Sequence, residues 1–134
     1  MALFQSLKSA KKKRGGGDCE VFAAPIDVFL PGEESVYQPD RVVVCDPAKI
    51  TARGIEGVPD LIVEILSFAT ASKDLTRKRW AYEAAGIPEY LIVDPEEKIG
   101  LLLRLENGRY MDAARVEWGG LLPLLHGQAE ITLD

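Results

Sequence analysis

The sequence predicts an α/β (α+β) fold: a mixed β-sheet with a crossover helix and a C-terminal β-hairpin. Three observations carry this. Val42–Cys45, Leu61–Leu66 and Tyr90–Val93 are continuous apolar runs of strand length, as expected of strands buried on both faces. A helical stretch, 74–85, separates the second run from the third, which is the spacing of a crossover connection. Asn107-Gly108, set between two further strand-like segments, is a strong short-range hairpin signal.

The remaining elements follow from local patterning. Leu3, Phe4 and Leu7 predict a short helix over 2–14, closed by Gly15–Gly17. Cys19–Leu30 is strand-like and interrupted by Pro25, which predicts two short strands or one with a kink. Gly32 to Gln38 is a polar turn, and 46–58, with Pro47, Gly54 and Gly57, reads as loop. The 74–85 helix starts at Asp74, offers Leu75, Trp80, Tyr82 and Ala85 as apolar surface, and stops at Gly86. Ile99–Leu105 and Arg109–Val116 are the arms of the hairpin, and Ile131–Leu133 is a last edge strand.

A chain of 134 residues, 47% of them hydrophobic, has room for one domain (1–134) with one core that needs no disulfide or structural metal. Cys19 and Cys45 both lie in apolar runs and read as buried thiols of a reducing compartment. No run reaches membrane-span length and no apolar signal core opens the chain, so a cytoplasmic location with no membrane partner is expected. The net charge of −5 argues against a protein that coats nucleic acid over its whole surface. Local binding stays open, because cations cluster at Lys11–Arg14 and again at Lys73, Arg77, Lys78 and Arg79.

The unusual residue is Glu64, a lone carboxylate inside a buried run. An ionised carboxylate left unpaired in a core costs several kcal/mol, on the order of the stability of a small domain. If the strands at 42–45 and 61–67 run antiparallel, Asp40 falls beside Glu64–Leu66, and Asp60 lies at the far end beside Cys45. Parallel pairing would reverse the two aspartates, so Asp60 remains an alternative ligand at this point. Two converging carboxylates repel, and a hard divalent cation is the common remedy. Lys78, on the helix after the Glu64 strand, has a stem long enough to reach back, with Arg77 and Lys73 available to phosphate oxygens.

Pro39-Asp40, then Asp60-Leu-Ile-Val-Glu64-Ile-Leu-Ser67, then Asp74, Lys78 and Tyr82, then Gly86-Ile-Pro-Glu89-Tyr-Leu-Ile-Val-Asp94-Pro95 resembles the Uma-two family of restriction-endonuclease-type domains in the PD-(D/E)XK superfamily. The resemblance covers about residues 19–133, including Leu121-Leu122-Pro123, and is most specific from Pro59 to Pro95. It implies a restriction-endonuclease-like mixed sheet flanked by helices and a Mg²⁺-dependent phosphodiesterase site, with Mn²⁺ as a substitute, acting on nucleic acid, DNA above RNA. It maps the metal carboxylates to Asp40 and Glu64, gives Ile65 a backbone-carbonyl contact to the metal, and gives Lys78 a catalytic role on water or phosphate. Leu66 stands where the superfamily motif places a lysine, and Lys78 on the following helix matches the displaced lysine. Family members carry a longer segment before the first strand, so a short N-terminus, an exposed apolar face and a two-fold homodimer covering it are expected.

Other residues read as structural. His126 has no partner histidine and is expected in a loop or at the surface. Trp80 and Tyr82 read as packing residues. Gly15-Gly16-Gly17 lacks the preceding strand and following Lys-Ser/Thr of a phosphate loop. Two functions are carried forward: a metal-dependent endonuclease using Asp40, Glu64 and Lys78, and a catalytically weak or inactive nuclease-fold module for binding or assembly.

Overall fold

The computed structural model of the protein describes residues 9–11, 18–67 and 72–133. A sheet of seven strands runs through it. In chain order these strands are β1 (Ser9–Lys11), β2 (Asp18–Ala23), β4 (Arg41–Val44), β7 (Leu61–Ile65), β8 (Glu89–Asp94), β9 (Ile99–Glu106) and β10 (Arg109–Glu117), and they lie side by side in that order. Every neighbouring pair is antiparallel except β7 and β8. A parallel pair needs a crossover, and α1 (Ser72–Ala85) supplies it. Between the main strands lies a small second sheet of β3 (Val28–Phe29), β6 (Gly54–Glu56) and β5 (Ile50–Thr51).

The apolar runs are continuous because the central strands are covered on both faces. Val42, Val44, Ile62 and Tyr90 turn toward α1 and the small sheet, where Val28, Tyr37, Ile55 and Tyr82 meet them. Val43, Leu61, Val63, Leu91 and Val93 turn the other way. That second face is covered by a C-terminal pair, β11 (Leu121–Leu124) with β12 (Ala129–Thr132), through Leu122, Leu124 and Ile131. The strict alternation of odd and even residues between the two clusters is the period-two geometry of a strand. Asn107 and Gly108, with φ of 52° and 79°, make the tight β9–β10 turn whose two central residues both need positive φ.

Several sequence expectations are corrected. Residues 9–11 form a strand, not part of a helix over 2–14; the open edge of β2 pairs with them in register from Ser9↔Glu20 to Lys11↔Asp18, and the ladder overrides local helix preference. The rest of that expected helix, Gly15–Gly17 and the run Lys12–Arg14 lie outside the described residues. Cys19 and Cys45 are a disulfide, not free thiols. The β2–β4 register pairs Glu20 with Val44, so the two cysteines come directly opposite one another with Cα atoms 4.0 Å apart. The argument from free thiols to a reducing compartment falls with them. The 46–58 loop contains β5 and β6, and Leu121–Leu124 is a strand that pairs with the expected last one. Among the described residues no helix is long and apolar enough to cross a membrane.

A carboxylate that the sequence reading passed over ties the far end of the sheet. Glu89 is fully buried, and its β9 neighbour Arg104 donates from Nε and Nη2 at 3.1 and 2.9 Å. The backbone N–H of Leu125, in the β11–β12 turn, also donates to it. Removing one partner of a buried ion pair leaves the other uncompensated, at about 3–5 kcal/mol. Arg104 keeps partial access to water, so the loss belongs to the low end of that range. Glu89→Ala is therefore expected to lower the unfolding free energy by about 3 kcal/mol, read from urea midpoints at unchanged slope, with Asp112→Ala as a surface control near zero.

Candidate active site

The β4–β7 register places Arg41 opposite Val63, so Asp40, one residue before β4, stands level with Glu64. The antiparallel expectation holds. Asp40 Oδ2 accepts the backbone N–H of Ile65 at 2.7 Å. Asp60, at the start of β7, does the reciprocal thing at the other end, accepting the N–H of Cys45 at 2.7 Å. The two aspartates clamp the same strand pair at opposite ends, and only Asp40 is at the Glu64 end. Asp60 as the alternative partner of Glu64 is set aside by that geometry.

Glu64 projects toward α1 with 5% of its surface exposed. Lys78 Nζ donates to its Oε2 at 3.1 Å and the Tyr82 hydroxyl to its Oε1 at 3.2 Å. Lys78 and Tyr82 are four residues apart on one helix, hence on the same face. Burial raises the Glu64 carboxyl above its ordinary value; Lys78 opposes this, while the charge of Asp40 adds to the rise. Burial first, and the Glu64 charge second, push the Tyr82 phenol far up, so its hydroxyl stays protonated and donates. The site is thus a pair of neighbouring carboxylates, of which Glu64 is reluctant to ionise and is held by an ammonium and a phenol.

The residues suit a hard divalent cation as a donor set. Asp40 and Glu64 offer carboxylate oxygens, and their mutual repulsion is what such a cation relieves. The N–H and C=O of one strand residue point toward the same neighbour, so the Ile65 carbonyl faces the Asp40 side with its N–H. Among the described residues no soft or imidazole donor stands with them, and no group of three or more His, Cys, Asp and Glu side chains is gathered as a metal cluster. Two carboxylates and a carbonyl, completed by water, are the ligands that Mg²⁺ or Mn²⁺ accepts.

The structure brings together Asp40, Glu64, Ile65 and Lys78, the residues singled out from sequence. Arg77 points into the adjoining groove, and the Lys73 side chain lies outside the described residues. Tyr82 was read as packing only; it packs, fully buried, and also holds Glu64. Its spacing of four from Lys78 was the available signal. Trp80 is corrected from packing to surface, at 67% exposed, because the buried face of α1 runs through Leu75, Tyr82 and Ala85 and the neighbouring Ala81. His126 is exposed in the β11–β12 turn, as expected.

The family described as "Uma2: Putative restriction endonuclease" matches residues 2–134 of the chain. Among solved structures the chain is similar to one described as a "putative nuclease belonging to DUF820" from Anabaena variabilis, with 17% sequence identity and a TM-score of 0.63. The likeness covers 85% of this chain and 65% of that one, so this chain spans a little under two thirds of its relative's length. At that identity the likeness speaks for the fold. No curated protein matches the sequence.

The raised Glu64 carboxyl has a stability consequence with a definite sign. A carboxylate whose folded pKa exceeds its unfolded value is one that the fold prefers protonated. Its contribution is fully present below the ordinary value of 4.5 and is lost as pH rises through the raised folded value. In EDTA, the wild type is expected to lose more stability between pH 5 and pH 8 than Glu64→Gln does, measured by urea unfolding at both pH values. Equal losses in the two proteins would contradict the raised pKa.

Proposed function

We propose that this chain, which belongs to the Uma2 family, is a metal-dependent endonuclease that hydrolyses phosphodiester bonds of DNA. The observation that carries the proposal is the presence of Glu64 as a buried carboxylate with Asp40 beside it. A core that needed only stability would be served as well or better by an apolar residue at that position. Asp40, Glu64 and the Ile65 carbonyl would hold Mg²⁺, or Mn²⁺ in its place. Bound there, the ion would supply positive charge for the phosphodiester and for activation of water.

The protein's own side chains have separate tasks. The bond from Ile65 N–H fixes the Asp40 carboxylate against the end of β7. Tyr82, too weak an acid to give up its proton, orients Glu64 through Oε1. Lys78 reaches Glu64 from α1, which places an ammonium charge where it would act on a phosphate oxygen or the attacking water. The lysine that the superfamily motif places two residues after the acid would come here from the next helix.

A second reading, a nuclease-fold module that binds without turnover, is favoured by one feature. Both Glu64 oxygens already have protein partners, Lys78 on one and Tyr82 on the other, so the carboxylate is satisfied without a metal. Titration calorimetry with Mn²⁺ and nicking of supercoiled plasmid separate the two readings. The enzyme reading expects binding heat and nicking from the wild type, neither from Asp40→Asn or Glu64→Gln, and from Lys78→Ala near-normal heat with nicking slowed about a hundredfold. Absence of both heat and nicking in a folded wild type leaves the binding module.

A further inference from the structure

Beside α1 lies an open groove of about 520 Å³, lined by residues that include Asp27, Phe29, Val36, Gln38, Arg77 and Lys78. Lys78 belongs to both places, since its ammonium sits on Glu64. Tyr37 joins them again: its ring is in edge contact with that of Tyr82, centroids 5.5 Å apart, and Tyr82 is the other partner of Glu64. The groove therefore adjoins the candidate active site, with Lys78 common to both.

Its chemistry is mixed in a particular way. Val36 is 48% exposed, and Phe29 contributes an aromatic ring that already stacks one guanidinium, that of Arg53, 4.2 Å from its centroid. Gln38 Nε2 donates to Asp27 Oδ1 at 2.6 Å, which joins a carboxylate and an amide at one spot. The backbone holds Asp27 firmly. Its carbonyl accepts Ile55 N–H at 2.8 Å, and Gly54 permits that approach, because a Cβ at 54 would sit 2.3 Å from the oxygen. Arg77 lines the groove and supplies a cation to it.

We propose that this groove seats one unpaired nucleotide of the DNA strand beside the phosphodiester at Glu64. Its base would lie on Phe29 and Val36, its polar edge on Asp27 and Gln38, and its phosphate on Arg77. Only the choice of a DNA strand as occupant rests on the nuclease reading. A carboxylate in the lining repels phosphate but accepts N–H donors, so the groove suits a base edge better than a run of backbone phosphates. The volume falls within the range of about 300–1,000 Å³ typical of small-ligand sites. A base inside a duplex is stacked on both sides and paired along that edge, so an unpaired one is the better occupant. Guanine alone carries two adjacent N–H donors, N1 and N2, that one carboxylate accepts together, and it is the preferred base.

Fluorescence anisotropy in EDTA tests this with three labelled probes: a dT 12-mer, the same strand with one central dG, and a 12-base-pair duplex. The dG strand is expected to bind tightest and the duplex weakest. Val36→Glu and Arg77→Ala should each weaken strand binding about tenfold, within the range seen for loss of a stacking contact, at unchanged melting temperature. Asp27→Asn should abolish the dG preference, and if that variant does not fold, Gln38→Ala reads the same edge. Duplex binding equal to strand binding, or groove variants that bind as the wild type does, would overturn the proposal. Plasmid nicking reports on the enzyme reading independently. Nicking with groove variants unaffected in strand binding removes the groove and keeps the enzyme, whereas groove-dependent binding without nicking does the reverse.

Discussion

Burying the carboxylate of Glu64 is the constraint around which the central part of the molecule is arranged. An ionisable group with 5% exposure in the middle of a sheet needs its partners delivered from outside the sheet, since its own strand neighbours have committed their polar groups to the ladder. The crossover does this. β7 and β8 are parallel, so the chain must return over one face, and it returns as a helix over the face to which Glu64 points. The helical repeat then puts Lys78 and Tyr82 over that carboxylate while Leu75 and Ala85 pack on the core. The apolar stripe of α1 is interrupted by a lysine because the sheet beneath it carries an acid.

Three acidic residues near the core show how environment divides structural from chemical roles. Glu89 has the planar fork of Arg104 on one oxygen and a backbone N–H on the other, so each oxygen is held by a charged or backbone donor. Asp60 ties Cys45 at the end of the pair of strands where the disulfide also acts, and serves as a clamp. Glu64 differs from both. Its partners are one flexible ammonium and one neutral hydroxyl, and a second carboxylate stands close enough to oppose its ionisation. The first two tie strands and turns to one another. At the third both oxygens have partners, yet two carboxylates share one neighbourhood, which is the physical sense in which it resembles a site.

What was legible in the sequence, and what was not, follows from the range of each interaction. Asp40 and Glu64 came together from parity and strand direction alone, because strand period and antiparallel pairing propagate register over a few residues without knowledge of the rest. The Asn107-Gly108 turn is similarly local. The disulfide needed the register of β2 against β4 across a separation of 26 residues, with a cis peptide at Ala24-Pro25 and a loop between, and nothing local specifies that. β5 and β6 are two and three residues long, too short to show a period. β11 carries Pro123, which argues against a central strand and is tolerated in this two-stranded pair. Trp80 and Tyr82 lie two positions apart on a helix and so point to different faces; composition favoured burying both, and geometry allowed one.

The charge distribution connects the groove to the proposed chemistry. The chain carries a formal charge of −5, and at the site two carboxylates stand with the cations Lys78 and Arg77. A phosphate approaching this region gains little from the protein's own field, in contrast to proteins that draw nucleic acid onto a basic surface. Affinity for a strand must then arise from contacts that do not depend on net charge, and from whatever positive charge a bound divalent ion adds. An aromatic ring, an exposed valine and a carboxylate–amide pair next to the acidic site are contacts of the first kind. The same lack of an attracting field disfavours retention of a long duplex, whose binding is dominated by phosphate neutralisation. On the proposal of a nucleotide seated in the groove, such a protein would engage a short unpaired stretch and hold it chiefly through one base.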